Sequence, residues 1–125
     1  MLTLPIKKKY FDMILSGEKK EEYREIKEYW TNRLLKSDIK FDTEKILKLL
    51  RLGYVTVFKT VQLRNGYGNN RPTITCEVKI KIGYGKKELG AEPGKEYYIL
   101  EILDFKDEMN CSYDYYKCKY GEERE

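Results

Sequence analysis

The sequence predicts an α+β fold in which a mixed, mostly antiparallel sheet closes into a small barrel beside two or three helices. Three observations predict it. Helical hydrophobic periods recur in the first half of the chain, strict apolar–polar alternation dominates the second half, and no repeat or linker separates the two. At 125 residues the chain has the length of one ordinary domain with one hydrophobic core.

The first half alternates between short extended segments and helices. The expected elements, in chain order, are a strand over 2–6, a helix over 8–16, an extended segment over 21–26 and helices over 27–36 and 43–52. Gly17 and Gly53 are expected to end the first and third helices, because glycine readily adopts the left-handed conformation found at helix C-termini. Asp42 or Thr43 is expected to cap the third helix.

The second half is rich in β-strand patterns. Strands are predicted over 55–63, 74–82 and 97–105. The last of them is continuously apolar, which is typical of a central strand. We assign residues 1–106 to the domain. Residues 107–125 form a charged, tyrosine-rich tail, which either packs on the domain or is partly disordered.

Composition excludes several classes of function. The chain has no histidine, which excludes an imidazole base and Cys/His zinc sites. Its three cysteines have no CxxC spacing, so we expect neither a disulfide framework nor a metal site, and Cys76 reads as a small core residue. No cofactor is implied. We expect a cytoplasmic protein without a membrane span, and the net charge of +4 permits nucleic acid without arguing for it.

The most informative stretch runs from Gly17 to Arg24 and has the pattern G-x-K-x-x-E-x-R. Gly17 can let a ligand approach the backbone, and Lys19 offers an ammonium to a phosphate or a carbonyl oxygen. Glu22 and Arg24 are two residues apart on an extended segment, so their side chains point to the same side. Together they can read a base and hold a phosphate, whereas the plainer interpretation is a solvated turn with one salt bridge.

The loop from Arg64 to Pro72 is the second candidate for ligand binding. Tyr67 stands between two glycines, where it can stack on a base, and Arg64, Asn65 and Arg71 surround it. An ordinary hairpin loop is the alternative interpretation.

Several other residues favour structural roles. Trp30 is expected in the core, with a stacking platform as its alternative, and Tyr23 is expected in the core. The three lysines at positions 7–9 are expected on the solvated surface, with a phosphate-facing rim as their alternative. Glu77 is an additional carboxylate on the outward side of its strand.

The G-x-K-x-x-E-x-R stretch, within its strand–helix–turn–strand context, resembles the signature of the ASCH domain family. The later segments Asn65-Gly66-Tyr67-Gly68 and Gly90-Ala91-Glu92-Pro93-Gly94 are similar to small bacterial or phage-type members, so the resemblance covers roughly residues 2–105. It implies a PUA-like barrel. It also implies binding of RNA, single-stranded by preference, or of a nucleoside or nucleotide, in RNA metabolism or translation-linked regulation.

The resemblance implies an enzymatic alternative as well. Some small members of the family hydrolyse N4-acetylcytidine, and a ribonuclease activity is ascribed to another branch. In the amidohydrolases a lysine corresponding to Lys19 acts with a threonine, where this chain has Glu22. If the protein is an enzyme, Lys19, Glu22 and Arg24 are the expected catalytic residues. A third class, a protein-interaction module without chemistry, is compatible with the tyrosine-rich tail.

Overall fold

The computed structural model describes residues 2–35, 43–56, 59–68 and 70–110, with side chains up to residue 105. Within these ranges the chain forms three α-helices, one short 3-10 helix and five strands. In chain order they are β1 (Leu2–Ile6), α1 (Lys8–Leu15), β2 (Glu21–Glu25), α2 (Glu28–Leu34), α3 (Thr43–Arg51), β3 (Lys59–Asn65), β4 (Thr73–Tyr84), the 3-10 helix (Lys87–Leu89) and β5 (Glu96–Asn110). The predicted α+β class is confirmed. None of the described helices combines the length and the apolar composition that a bilayer crossing requires.

The five strands form one mixed sheet in the order β1-β3-β4-β5-β2. β1 pairs with β3 in parallel, and the other three pairings are antiparallel. The sheet curls into a half-barrel, with β1 and β2 as its two edges. The Arg24 side chain on β2 donates from Nη2 to the carbonyl oxygen of Pro5 on β1, at 2.9 Å. A side chain therefore links the two edges of the sheet.

Most predicted element boundaries agree with the structure to within a few residues. Gly53 ends α3 with a φ of 97°, and its N–H donates to the carbonyl oxygen of Leu50, as predicted for a helix C-terminus. Two strands differ. β3 begins at Lys59 and not at residue 55, and β5 continues to Asn110, beyond the predicted end at residue 105. Asp42 and residues 111–125 of the tail lie outside the described residues.

Alternation along β4 builds the main core. Ile74, Cys76, Val78 and Ile80 are all buried, while the intervening residues are partly exposed. β5 lies between β4 and β2, and both of its faces are buried from Tyr97 to Leu100, which explains the apolar run there; Leu103 and Phe105, farther along the strand, are exposed. One face of β5 joins the main core through Tyr98 and Leu100. The other face joins a smaller cluster, which consists of Tyr23, Leu89, Ala91, Tyr97 and Ile99.

Replacing Cys76 by alanine should reduce the loss of stability at alkaline pH. Burial raises the pKa of this thiol from 9.0 to about 12. Because the folded-state pKa is raised, the thiol's stabilising contribution is complete below pH 9 and is lost as the pH rises toward 12. Between pH 9 and pH 12 the thiol should account for a loss of about 4 kcal/mol in the free energy of unfolding, at about 1.4 kcal/mol per pH unit. Between pH 7 and pH 10.5, the variant should therefore lose about 2 kcal/mol less than the wild type in urea unfolding.

Comparing Cys76→Ala with the wild type separates the effect of the thiol from that of other titrating groups. Burial also raises the pKa of Tyr23 to about 12, which lowers stability between pH 10 and 12, but this contribution is present in both proteins and cancels. The variant itself should cost about 1 kcal/mol at pH 7, as most core substitutions do. Equal losses in the two proteins would contradict a buried thiol that stays protonated.

Candidate functional site

The turn after α1 aims Lys19 at the interior of the half-barrel. The N–H of Ser16 donates to the Asp12 carbonyl oxygen, and the N–H of Gly17 donates to that of Ile14. Gly17 has a φ of 84°, the left-handed conformation predicted for it. The N–H of Lys19 donates to the carbonyl oxygen of Met13 in α1, at 2.9 Å. The backbone of Lys19 is thus fixed by the helix that precedes it.

β2 brings Glu22 and Arg24 to the same face as the core residues of β5. Glu22 pairs with Leu100 and Arg24 with Tyr98, so their side chains point into the half-barrel. Glu22 lies between two cations. Its Oε1 is 2.9 Å from Lys19 Nζ, and its Oε2 is 2.7 Å from Arg24 Nη1. The expected convergence of these three side chains is therefore present in the structure.

The ammonium of Lys19 is almost fully enclosed, at 2% exposure. It donates to the carbonyl oxygen of Leu89 at 2.6 Å, and it lies 4.1 Å from the ring centre of Tyr10. Burial lowers the pKa of Lys19 below its ordinary 10.5, Glu22 raises it in part, and Arg24 lowers it. The cation is thus stabilised by a carboxylate, a carbonyl and an aromatic face in place of water.

Arg24 lies on the other side of Glu22 from Lys19. Its Nη1 donates to Glu22 and to the carbonyl oxygen of Tyr23, and its Nη2 donates to that of Pro5. The guanidinium carbon lies 5.0 Å from the ring centre of Trp30, a stacked cation–π arrangement. Within the described residues the buried Nε–H has no hydrogen-bond acceptor.

These side chains line a cleft of about 610 Å³ between the two sheet edges, a volume in the range of small-molecule sites. Its walls come from β1, the start of α1, the turn between α1 and β2, β2, α2, the loop after β3 and the 3-10 helix. The lining residues are Pro5, Ile6, Lys7, Lys8, Tyr10, Lys19, Glu22, Tyr23, Arg24, Trp30, Gly66, Tyr67, Leu89 and Gly90.

The lining is cationic and aromatic. Among the residues that the structure describes, it contains four basic side chains and one carboxylate, that of Glu22, together with three tyrosines and one tryptophan. Lys8 pairs with Asp12 at 2.8 Å outside the lining. Such a surface attracts anions and accepts flat rings. Within the described ranges no three Cys, Asp or Glu side chains converge to hold a metal ion.

Half of the predicted ligand-binding residues line this cleft. Lys19, Glu22, Arg24 and Tyr67 do, and Tyr67 is 86% exposed at the rim. Gly17, Arg64, Asn65 and Arg71 are not among the lining residues.

Two of the loop residues hold the loop itself. Arg71 Nε donates to the Asn65 carbonyl oxygen at 2.8 Å, and the N–H of Asn65 donates to the Pro72 carbonyl oxygen. Asn65 is buried as the last residue of β3. These contacts position Gly66 and Tyr67 beside the cleft.

Sequence reasoning did not single out Tyr10 and Leu89 as site residues, and it favoured the core over a stacking platform for Trp30. Trp30 does pack against the core, but it is half-buried and lines the cleft beneath Arg24. Lys7 and Lys8 were expected on the solvated surface, and they lie at the rim. Tyr23 is in the core as predicted, within the smaller cluster.

Comparison of the chain with protein-family models, with curated proteins and with solved structures finds no match in any of the three.

Proposed function

We propose that the protein binds single-stranded RNA, or a nucleotide of it, in the cleft between β1 and β2. We further propose that it is an ASCH-type protein with a PUA-like barrel that acts in RNA metabolism or translation-linked regulation. One observation carries the proposal: the buried Lys19 and Glu22 and the partly buried Arg24 form a continuous charged part of the wall of a nucleotide-sized cleft, with aromatic rings beside both cations.

The buried charges support binding because their geometry is fixed before a ligand arrives. Glu22 holds both cations, and Leu89 and Pro5 each accept a further hydrogen bond from them. A preorganised site loses little side-chain entropy when it binds. Exposed lysines and arginines on flexible stems would lose far more.

The residues at the rim of the cleft, Lys7, Lys8 and Tyr67, favour single-stranded over double-stranded RNA as the ligand. Proteins that bind single strands combine cations along the backbone path with aromatic rings on which bases stack. Lys7 and Lys8 supply cations to the lining of the cleft, and Tyr67, which follows Gly66 at its hydrogen bond to Ile6, supplies an exposed ring. A duplex keeps its bases stacked inside and offers this ring nothing to stack on.

Fluorescence anisotropy with a labelled RNA of mixed sequence tests the proposal. We expect the single strand to bind more tightly than its duplex, with affinity that falls as salt rises. Tyr67→Ala should weaken binding about tenfold, since stacking on one aromatic ring is worth about 1–3 kcal/mol. The matched control is Tyr84→Ala, which removes a ring of 66% exposure that does not line the cleft.

A charge series completes the test. The double variant Lys7→Gln/Lys8→Gln should lower the slope of log affinity against log salt by up to about 1.4, at about 0.7 per phosphate contact on a single strand. Lys45→Gln/Lys48→Gln makes the same change of charge on α3, away from the cleft, and should leave the slope nearly unchanged. Absence of RNA binding, or equal effects of the two double variants, would refute the proposal.

A second candidate, hydrolysis of an acylated nucleoside, is favoured by the lowered pKa of Lys19 beside a carboxylate inside a cleft. A lysine acts as a base only as the free amine, and burial makes that form easier to reach. The test is release of cytidine and acetate from N4-acetylcytidine, followed by chromatography. Turnover by the wild type that is lost in Lys19→Met would make the protein an enzyme.

A further inference from the structure

The lining of the cleft carries more positive charge than its own carboxylate balances. Among the described residues that line it, the cations are Lys7, Lys8, Lys19 and Arg24, and the carboxylate is that of Glu22. Glu22 contacts both Lys19 and Arg24, but its single negative charge balances only one of them. One positive charge therefore remains on this partly enclosed wall.

The two lysines at the rim differ in their surroundings. Lys8 pairs with Asp12 at 2.8 Å, which balances its charge. In the part of the chain that the structure describes, Lys7 is exposed and forms no salt bridge. Lys7 follows Pro5 by two residues, a distance of about 7 Å along an extended backbone. Because the carbonyl oxygen of Pro5 accepts from Arg24, the flexible stem of Lys7 can bring its ammonium to a ligand that contacts Arg24.

Carboxylates close to the lining face away from it. Glu21 accepts from the hydroxyl of Tyr23 at 2.8 Å, but it lies on the opposite face of β2 from the charged wall and faces Lys81 at 4.0 Å. On the 3-10 helix, Glu88 is exposed beside an exposed lysine, Lys87. Tyrosine side chains, of which the lining has three, are uncharged at neutral pH. Two positive charges therefore remain for a ligand.

We infer that the cleft prefers a phosphate monoester, so that it binds RNA at a strand end that carries a terminal phosphate. The inference deepens the proposed RNA binding and rests on it. A phosphate monoester carries a charge of about −1.5 to −2 at pH 7, which matches the two remaining positive charges. A phosphodiester inside a strand carries a single negative charge, and a nucleoside carries none. Only the monoester gives both Arg24 and Lys7 a full counter-charge.

Three ligands with the same base and sugar test the inference on the unmodified protein. Uridine 5′-monophosphate, its methyl ester and uridine compete against the labelled RNA of mixed sequence in the anisotropy assay. We expect the monophosphate to compete about tenfold better than the methyl ester, since one additional charged contact contributes about 1.4 kcal/mol or more. Uridine should compete least.

The charge of the ligand also predicts a dependence on pH. A phosphate monoester takes up its second proton with a pKa of about 6, so at pH 5 the monophosphate has nearly the charge of its methyl ester. Its advantage over the methyl ester should therefore fall about fivefold between pH 7.5 and pH 5. The chain has no histidine, the side chain that ordinarily titrates in this window. The methyl ester is the control for any titration of the protein's carboxylates.

RNA octamers of one sequence identify the strand end. They carry a 5′-phosphate, a 3′-phosphate or hydroxyls at both ends, and a phosphorylated form should compete about tenfold better than the hydroxyl form. Lys7→Gln should reduce this advantage, because it removes one of the two remaining positive charges. The matched control is Lys9→Gln, which changes an exposed lysine outside the lining and should preserve the advantage.

Equal competition by octamers with and without a terminal phosphate, or by the monophosphate and its methyl ester, would overturn the inference and leave the proposed RNA binding intact. The same conclusion would follow if Lys7→Gln and Lys9→Gln reduced the advantage equally. Failure of every octamer and of mixed-sequence RNA to bind would overturn both.

Discussion

Glu22→Gln should lower the free energy of unfolding by about 3–5 kcal/mol, the cost of removing one partner from a buried ion pair. The glutamine keeps the shape of the side chain but not its charge. Lys19 and Arg24 would then face each other across the site without the carboxylate that separates and neutralises them. The midpoint of thermal unfolding should fall by about 9–25 °C, at about 3–5 °C per kcal/mol for a chain of this length.

A surface ion pair provides the matched control. Glu101 pairs with Lys81 at 2.6 Å, but both side chains are about one-third exposed. Glu101→Gln should therefore cost less than about 1 kcal/mol. Similar losses in the two variants would show that Glu22 is not the buried centre of a charge cluster.

The stability of Glu22→Gln should also depend on pH in a characteristic way. Without Glu22 the pKa of Lys19 should fall further, because burial already lowers it and the carboxylate raises it. A lysine with a lowered folded-state pKa binds fewer protons in the folded than in the unfolded protein, so its penalty shrinks as the pH rises toward 10.5. The stability gap between Glu22→Gln and the wild type should narrow from pH 7 to pH 10. For Glu101→Gln the gap should stay small throughout.

Arg24→Ala should lower the free energy of unfolding by about 2–4 kcal/mol and weaken the sheet locally, where its edges β1 and β2 meet. The variant removes hydrogen bonds to Glu22, Tyr23 and Pro5 and the stack on Trp30, while Lys19 still pairs with the carboxylate. Since Arg24 links the two sheet edges, the loss should be local. Hydrogen exchange should accelerate in β1 and β2, while β4 and β5 keep their protection.

Arg33 is the control for this prediction. It also stacks on an aromatic ring, 3.5 Å from the ring centre of Tyr29, and donates to a backbone carbonyl, but it is exposed. Arg33→Ala should change stability by less than about 1 kcal/mol. Arg24→Ala should in addition weaken RNA binding at least tenfold, as expected for a lost charged contact. Uniform acceleration of exchange across the sheet would contradict a local link.

The sequence contains enough information for the strands and for the charged wall, because both depend on local spacing. The alternation along β4 and the two-residue interval between Glu22 and Arg24 place side chains on one face whatever the tertiary arrangement. Gly17 likewise indicates its turn through its own backbone preference.

The remainder of the site depends on contacts between distant parts of the chain. The carbonyl that accepts from Lys19 belongs to Leu89, seventy residues away, and no local pattern marks it. Trp30 has the helical spacing of a core residue, and only the position of Arg24 shows that one face of its ring borders the cleft. The hydrophobic periodicity of the sequence likewise cannot predict that β1 pairs in parallel with β3.

The contact at Pro5 has a consequence for association between molecules. In a strand, the backbone nitrogen and C=O of one residue point to the same edge, and the C=O of Pro5 points away from β3, toward Arg24 on β2. Proline has no N–H, and its carbonyl is occupied by Arg24. The open border of the sheet thus lacks a vacant donor–acceptor pair at this point, and a strand from a neighbouring molecule cannot extend the ladder there.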